Sequence, residues 1–455
     1  MPTVAIAHTS QKDRSIKRVY AMVREALEKI GGFEAFVKPG QSVIIKPDQN
    51  CAQLAEQGAT TDPILVGAII RLAWEAGASS VTVGAATSGA GDSIECMRAT
   101  GMAVMAAQEG AKLIDLGHPD TPDREVEMPE AMLLKQARLP VALLDSDVII
   151  GVPKARTDSL DTIAGAIELC KGAMKQDCRY LQTGTAETLG RLADMLTLIR
   201  PDLWITDALI CGEGDGPNAN QPHWAGCVLA ASDPVAMDYT IAMLLGRDPS
   251  RLRFARAAEE RGLGCSAPIV FLGKPLESIA FRAWPTHETF GHLPINVLVG
   301  DDVNDAGTVG YIKNSIESLI HDGVLQLALH TSGTPTILIG NVVDSDFETH
   351  LQEGPYIVFG DSAKPEYTTD PRVSFIPGHR VAGLTTRELS QILLAKSTIG
   401  SAPEEARQLP AEPISLPMQS VRVSATQLLV VALAFAASGV ALCMTGSTRQ
   451  RRNKV

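Results

Sequence analysis

The 455-residue chain is poor in aromatic residues, at 4 %, and has no surplus of positive charge, its formal net charge being −12 at pH 7. Arg449, Arg451, Arg452 and Lys454 fall within the last ten positions, where there is no acid, so the rest of the chain is more acidic still. A nucleic-acid-binding body needs a basic footprint and is excluded on this count. Eight cysteines, at 51, 96, 170, 178, 211, 227, 265 and 443, include no C-x-x-C pair. Zinc ribbons and ferredoxin-type clusters hold metal through closely spaced thiolates, so an iron–sulfur cluster is not expected. Scattered thiols suit a reducing cytoplasm better than a disulfide framework. Cys211, directly before a glycine-rich run, is the thiol placed for reactivity. Neither a Walker loop nor G-x-G-x-x-G is present, and the small-residue loop 84–92 has two readings, a phosphate wrap or a mobile turn. The first eight residues lack the charged start of a signal peptide and read as a strand.

A hydrophobic content of 45 % is enough for large cores. Short apolar runs alternate with alanine-rich helical stretches closed by glycine, the grammar of βαβ units. Strands are expected at 3–7, 42–45, 80–83, 112–116, 147–152, 203–206, 226–231 and 267–272. Helices are expected at 14–30, 62–76, 97–109, 162–174, 188–199 and 248–262. The fold class is α/β: a mostly parallel sheet with helices on both faces over residues 1–280, then a smaller α/β domain over 281–400. The second domain shows strands at 295–299, 336–339, 356–359 and 373–376, and a helix at 385–395. A proline- and acid-rich linker follows at 401–424. Residues 425–444, ATQLLVVALAFAASGVALCM, carry no charge and are long enough to span a bilayer as one helix. The expectation is a single C-terminal membrane anchor, a basic tail at 445–455 and a cytoplasmic body, although basic residues after the span would by themselves place the tail inside.

The densest chemistry lies in 203–238. An apolar strand delivers Asp207 to its end, and the run Gly212-Glu213-Gly214-Asp215-Gly216-Pro217 reads as a glycine-rich turn holding two carboxylates. A pair of acids in such a turn has little packing reason to be there. Asp233-Pro234 is a helix start, with Asp238 one turn on. Asp207 also reads as a strand-end cap and Asp233 as a helix N-cap. Two other strands end in a proline beside a lysine: Lys46-Pro47, with Asn50 nearby, and Pro153-Lys154-Ala155-Arg156-Thr157-Asp158. Each lysine either snorkels to solvent or faces an anion at the carboxyl edge of the sheet. Two cations at one edge strengthen the second reading. His287 and His292 stand in a connector at 282–293 with spacing unlike ordered metal ligands, and read as surface residues.

These motifs in this order resemble the family known as domain of unknown function 362, over residues 4 to about 273. The correspondence runs through Lys46-Pro47 with Asn50, Thr61-Asp62-Pro63, Pro153 to Asp158, Asp207, Glu213 to Pro217, and Asp233 to Asp238. The chain departs from that pattern at Arg156 and Asp158, where the family has lysine and histidine, and at Glu168-Leu169, where a lysine-asparagine pair is common. The cysteine quartets of many relatives are missing, and Pro377-Gly378-His379 has histidine where comparable turns have cysteine. By resemblance, redox or isomerase chemistry is the class to consider.

Two functions are expected from these residues. In the first, Lys46, Asn50, Lys154, Arg156, Thr157, Gly214 and Gly216 bind a small anionic ligand or cofactor. Asp207, Glu213 and Asp215 then serve as catalytic groups, with Glu213 and Asp215 ligating a divalent cation such as magnesium or manganese. In the second, the chain is a membrane-tethered binding or scaffold protein that has lost the iron–sulfur function of its relatives.

Overall fold

Val43-Ile44-Ile45, Val81-Thr82-Val83 and Val148-Ile149-Ile150 are runs rich in β-branched side chains, suited to a pleated surface covered on both faces. They form the centre of a ten-stranded sheet. The computed structural model describes residues 1–87, 93–158, 161–173, 185–287, 290–300, 302–303, 306–321, 323–377 and 389–394. The chain divides into Met1–Gly400 and Ser401–Val455, and only the first contains described residues. The expected linker, membrane span and basic tail therefore lie outside them, as do Gly378, His379 and residues 88–92 of the small-residue loop. Among the described residues, no helix is long and apolar enough to cross a membrane.

In chain order the first strands are β1 (Thr3–His8), β2 (Ser42–Pro47), β3 (Ser80–Ala85), β4 (Lys112–Asp115), β5 (Asp123–Glu127) and β6 (Gln136–Pro140). They are followed by β7 (Val148–Val152), β8 (Lys154–Asp158), β9 (Thr162–Ala164), β10 (Leu203–Asp215), β11 (Ala219–Ala231) and β12 (Val270–Gly273). The large sheet runs β12-β1-β11-β10-β7-β2-β3-β4, with β8 on β10 and β9 on β8. β10, β7, β2, β3 and β4 are mutually parallel, whereas β11 is antiparallel to both β10 and β1. Helices cover both faces. Ile16–Glu28 and Pro63–Glu75 pack with Val43, Ile45 and Val83, while Pro234–Leu244 and Arg253–Glu259 pack with Val4, Ile6 and Trp204. At about 1.5–3 kcal/mol for each fully buried aliphatic side chain, these two cores are the main driving force for the layer arrangement. A second, all-parallel sheet consists of β13 (Asn296–Val299), β14 (Thr336–Ile339), β15 (Tyr356–Phe359) and β16 (Val373–Ile376), in that order.

Three expectations change. The glycine-rich run at 212–217 is mostly strand: β10 and β11 are thirteen residues each, paired from Trp204↔Ala231 out to Asp215↔Ala219. Its glycines serve close approach more than turning, since a Cβ at Gly212 would strike the Gly58 carbonyl and one at Gly216 the Thr157 carbonyl. The helix expected at 162–174 gives way to β9 and then the short helix Ala166–Leu169, because residues 162–164 pair with β8 instead. The helix expected at 97–109 is two, Ser93–Ala99 and Met102–Gln108, broken at Gly101 with φ 82°.

Candidate functional site

Thr61 shows how the strand exits are gathered. Its hydroxyl donates to the Val152 carbonyl at 2.7 Å and accepts from the Asp48 amide at 2.9 Å, joining the ends of β2 and β7 to the start of helix Pro63–Glu75. Asp62 caps that helix, its Oδ1 accepting from the Ile64 amide at 2.9 Å. Pro153 then turns the chain from β7 into β8, which crosses to β10 with Lys154 opposite Asp207 and Arg156 opposite Gly212.

Lys154 and Asp207 form a fully buried ion pair, Nζ to Oδ2 at 2.9 Å, with side chains 1 % and 0 % exposed. Asp207 Oδ2 also accepts from the Asp62 amide at 2.7 Å, and Oδ1 from the Leu209 amide at 3.0 Å. Asp62 in turn holds Arg14 at 2.6 Å, and Arg14 reaches Glu56 at 2.6 Å. Burial raises the pKa of Asp62, with Arg14 opposing and the Asp207 charge reinforcing the rise. Lys154 and Asp207, read from the sequence as ligand-binding and catalytic, are thus brought together and neutralise each other.

Arg156, 1 % exposed, donates from Nη2 and Nε to Asp48 Oδ2 at 2.7 and 3.2 Å, and its Nη1 lies 3.5 Å from Asp158 Oδ2. Burial works against its charge, but Asp48, Asp158 and Glu168 outweigh burial and raise its pKa. Among the described residues, Arg156 Nη1 has no hydrogen-bond partner. Glu168, on helix Ala166–Leu169, is pushed up by burial and pulled back by Lys171 and Arg156. Lys46 is buried, and its Nζ lies 2.8 Å from where a Cβ at Gly172 would stand. Asp238 positions this short helix by accepting the Ala166 and Ile167 amides at 2.5 and 3.3 Å, and burial lifts its pKa to about 7. Asp48, Asp158 and Asp238 escaped the sequence reading as members of this cluster. Only the acid following each proline-lysine exit hinted at the first two.

The remaining predicted binding residues tie down the tip of the β10–β11 hairpin. Asn50 Nδ2 donates to Asn218 Oδ1 at 2.5 Å, and Thr157 Oγ1 donates to the Gly214 carbonyl at 2.8 Å. The strand bulge between Ala208 and Ile210 places Cys211 in the core opposite that of Leu209. Glu213 and Asp215 continue the Cys211 alternation and leave the sheet on the face away from Asp207. Glu213 Oε2 accepts from the Trp284 amide at 2.9 Å, and its Oε1 lies 3.7 Å from His223 Nδ1. Asp215 meets His287 Nδ1 at 2.7 Å, Lys313 Nζ at 3.0 Å and His292 Nε2 at 3.7 Å. Burial would raise the Asp215 pKa, but the His287 amide and Lys313 hold it below its ordinary value. His287 and His292, read as unconnected surface residues, are stacked with ring centroids 3.8 Å apart beside this acid. Sequence spacing missed them because their common partner lies 72 residues away from His287. Cys211, expected to be reactive, is fully buried, and desolvation puts its pKa well above that of an ordinary thiol, so it is not poised as a thiolate.

Residues 43–243 match the domain of unknown function (DUF362). The match spans β2 to helix Pro234–Leu244 and includes Lys46, Lys154, Arg156, Asp207, Glu213 and Asp215. Over 258 residues the chain is 28 % identical to a thylakoid-associated protein of Synechocystis, covering 54 % of this chain and 76 % of that one. Among solved structures it is similar to a Thermotoga maritima protein determined by structural genomics, with TM-score 0.34 and 9 % identity over 81 % of this chain and 97 % of the other. It is also similar to the lactate racemase apoprotein of Thermoanaerobacterium thermosaccharolyticum, with TM-score 0.30 and 8 % identity over 87 % and 91 %.

Two outcomes follow from the buried charges. Asp207→Asn strands the Lys154 ammonium and is expected to cost about 3–5 kcal/mol, read from the urea midpoint, with Lys154→Met in the same chain recovering part of it. An unchanged midpoint in the single variant would show that the pair is not buried as described. For Asp238, the folded pKa of about 7 against an ordinary 3.8 means that the folded chain keeps a proton the unfolded chain has lost. Its contribution is therefore full below about pH 4 and declines toward about pH 7, by on the order of a few kcal/mol. Asp161, lifted by burial to about 6, acts in the same direction over a narrower window. Urea titrations at about pH 5 and about pH 8 should show a smaller pH-dependent loss in Asp238→Asn than in wild type.

Proposed function

We propose that the chain binds a small anionic ligand, a carboxylate or phosphate, at the carboxyl edge of the large sheet, between the ends of β2 and β8 and helix Ala166–Leu169. The observation that carries this reading is Arg156 Nη1: a buried guanidinium nitrogen with no hydrogen-bond partner among the described residues, in the field of the half-buried Glu168, with the buried Lys46 two residues before its ion-pair partner Asp48. An unsatisfied donor of this kind costs about 1–3 kcal/mol, which an anionic oxygen would offset. Open α/β sheets place ligands at this edge. Lys154 belongs to the support, because Asp207 already neutralises it. A binding role is favoured over a catalytic one for the three predicted catalytic acids. Asp207, Glu213 and Asp215 are each engaged by protein donors.

The test is a thermal-shift series on the full-length protein with inorganic phosphate, nucleotides and small carboxylic acids. A ligand at one hundred times its Kd should stabilise by about 2.7 kcal/mol. Lys46→Met and Arg156→Lys should abolish the shift, the second keeping the charge while removing the fork. No shift with any anion in wild type rules the reading out.

We further propose attachment to a membrane through residues 425–444, supported by the charge-free run and by a relative named for its association with thylakoids. Full-length chain should stay with membranes washed in alkaline carbonate, and a chain ending at residue 400 should not. Release of the full-length chain by the wash would rule out a span.

A further inference from the structure

We propose that Asp215, His287 and His292 form a site for a transition-metal dication of the zinc class, separate from the anion site and lying where the β10 hairpin, the connector after Phe281 and helix Ala306–His321 meet. One ligand atom from each of the three lies within 4.8 Å of the other two. Ligands held about 2.1 Å from one tetrahedral ion stand about 3.4 Å apart, so side-chain adjustments of about an ångström close the set.

A fourth group is at hand. Glu317 Oε1 is 3.0 Å from His292 Nε2, its side chain is 3 % exposed, and among the described residues its Oε2 has no hydrogen-bond partner. That buried oxygen, on a side chain that already meets His292, is available to a cation. The donor set also determines the metal. Two imidazole nitrogens with carboxylate oxygens favour zinc, cobalt or iron over the magnesium or manganese suggested by an acid-only pair. The paired acid is accordingly not Glu213, which is engaged by Trp284 and His223.

Lys313 is the competing cation. Its Nζ bridges Asp215 Oδ1 at 3.0 Å and Glu317 Oε1 at 2.8 Å. Its four-carbon stem lets the ammonium withdraw when a dication takes both carboxylates. The site thereby has two states: a lysine bridge without metal, and a metal that joins the hairpin to the helix of the second sheet.

Cobalt(II) is the probe, because its visible absorption reports coordination directly. Full-length protein without a histidine tag should take up one cobalt ion per chain, with bands of a site containing nitrogen ligands, and zinc should displace it. His287→Ala, at an exposed position, and His292→Ala should each weaken uptake by about tenfold or more. Lys313→Met should tighten it by about tenfold, since a like charge is removed from beside the ion. Circular dichroism of each variant separates lost ligation from lost folding. Absent uptake by wild type, uptake unchanged in both folded histidine variants, or weaker binding in a folded Lys313→Met would each overturn the proposal.

Discussion

The ion pair between Lys154 and Asp207 is the constraint on which the large sheet depends. β7 is apolar through Val152, and Pro153 ends its regular pairing, so the chain could leave the sheet there. Instead β8 crosses to β10, and the two charges meet at 2.9 Å with no exposure. Removing such charges from water costs several kcal/mol per ion, and is offset only when geometry and further hydrogen bonds are good. Here the Asp62 and Leu209 amides complete the acceptor set of Asp207. The first of these also fixes the start of helix Pro63–Glu75, so one carboxylate registers β8, β10 and a helix together.

That register decides where the remaining charges stand. Two residues beyond Lys154, Arg156 is carried over the end of β2, where Asp48 meets it, and Asp158 follows on the same side of the strand. Lys46 and Glu168 border the same region. Asp215 is sent to the other face by the bulge in β10, into the company of two histidines and Lys313. The polar residues of the chain therefore gather in two candidate sites of different chemistry, one where Arg156 stands among Asp48, Asp158 and Glu168 beyond the end of β2, the other built of imidazole and carboxylate.

Much of the architecture was legible along the chain. Val43 to Ile45 and Thr336 to Ile339 are strands because short runs rich in β-branched residues, bounded by turns, have few other stable uses. Asp62-Pro63 and Asp233-Pro234 begin helices because aspartate accepts the otherwise unpaired first amides and proline needs none. Residues 212–217 were misread for a physical reason: glycine marks both a turn and a close approach. Only the partner strand, with Gln221 and Asn220 opposite Glu213 and Gly214, distinguishes the two.

Local periodicity and capping chemistry act over a few residues, so the sequence by itself determined the α/β class, the principal strands and helix starts, and the motif residues that match DUF362. Pairing between charges depends on distances that no spacing encodes. Whether Lys154 faces a ligand or Asp207, whether Glu213 and Asp215 act together, and whether His287 and His292 have a common partner were decided only when the tertiary structure brought distant segments within bonding range. A charge is available for chemistry only insofar as its neighbours leave it so, and those neighbours are chosen by the fold.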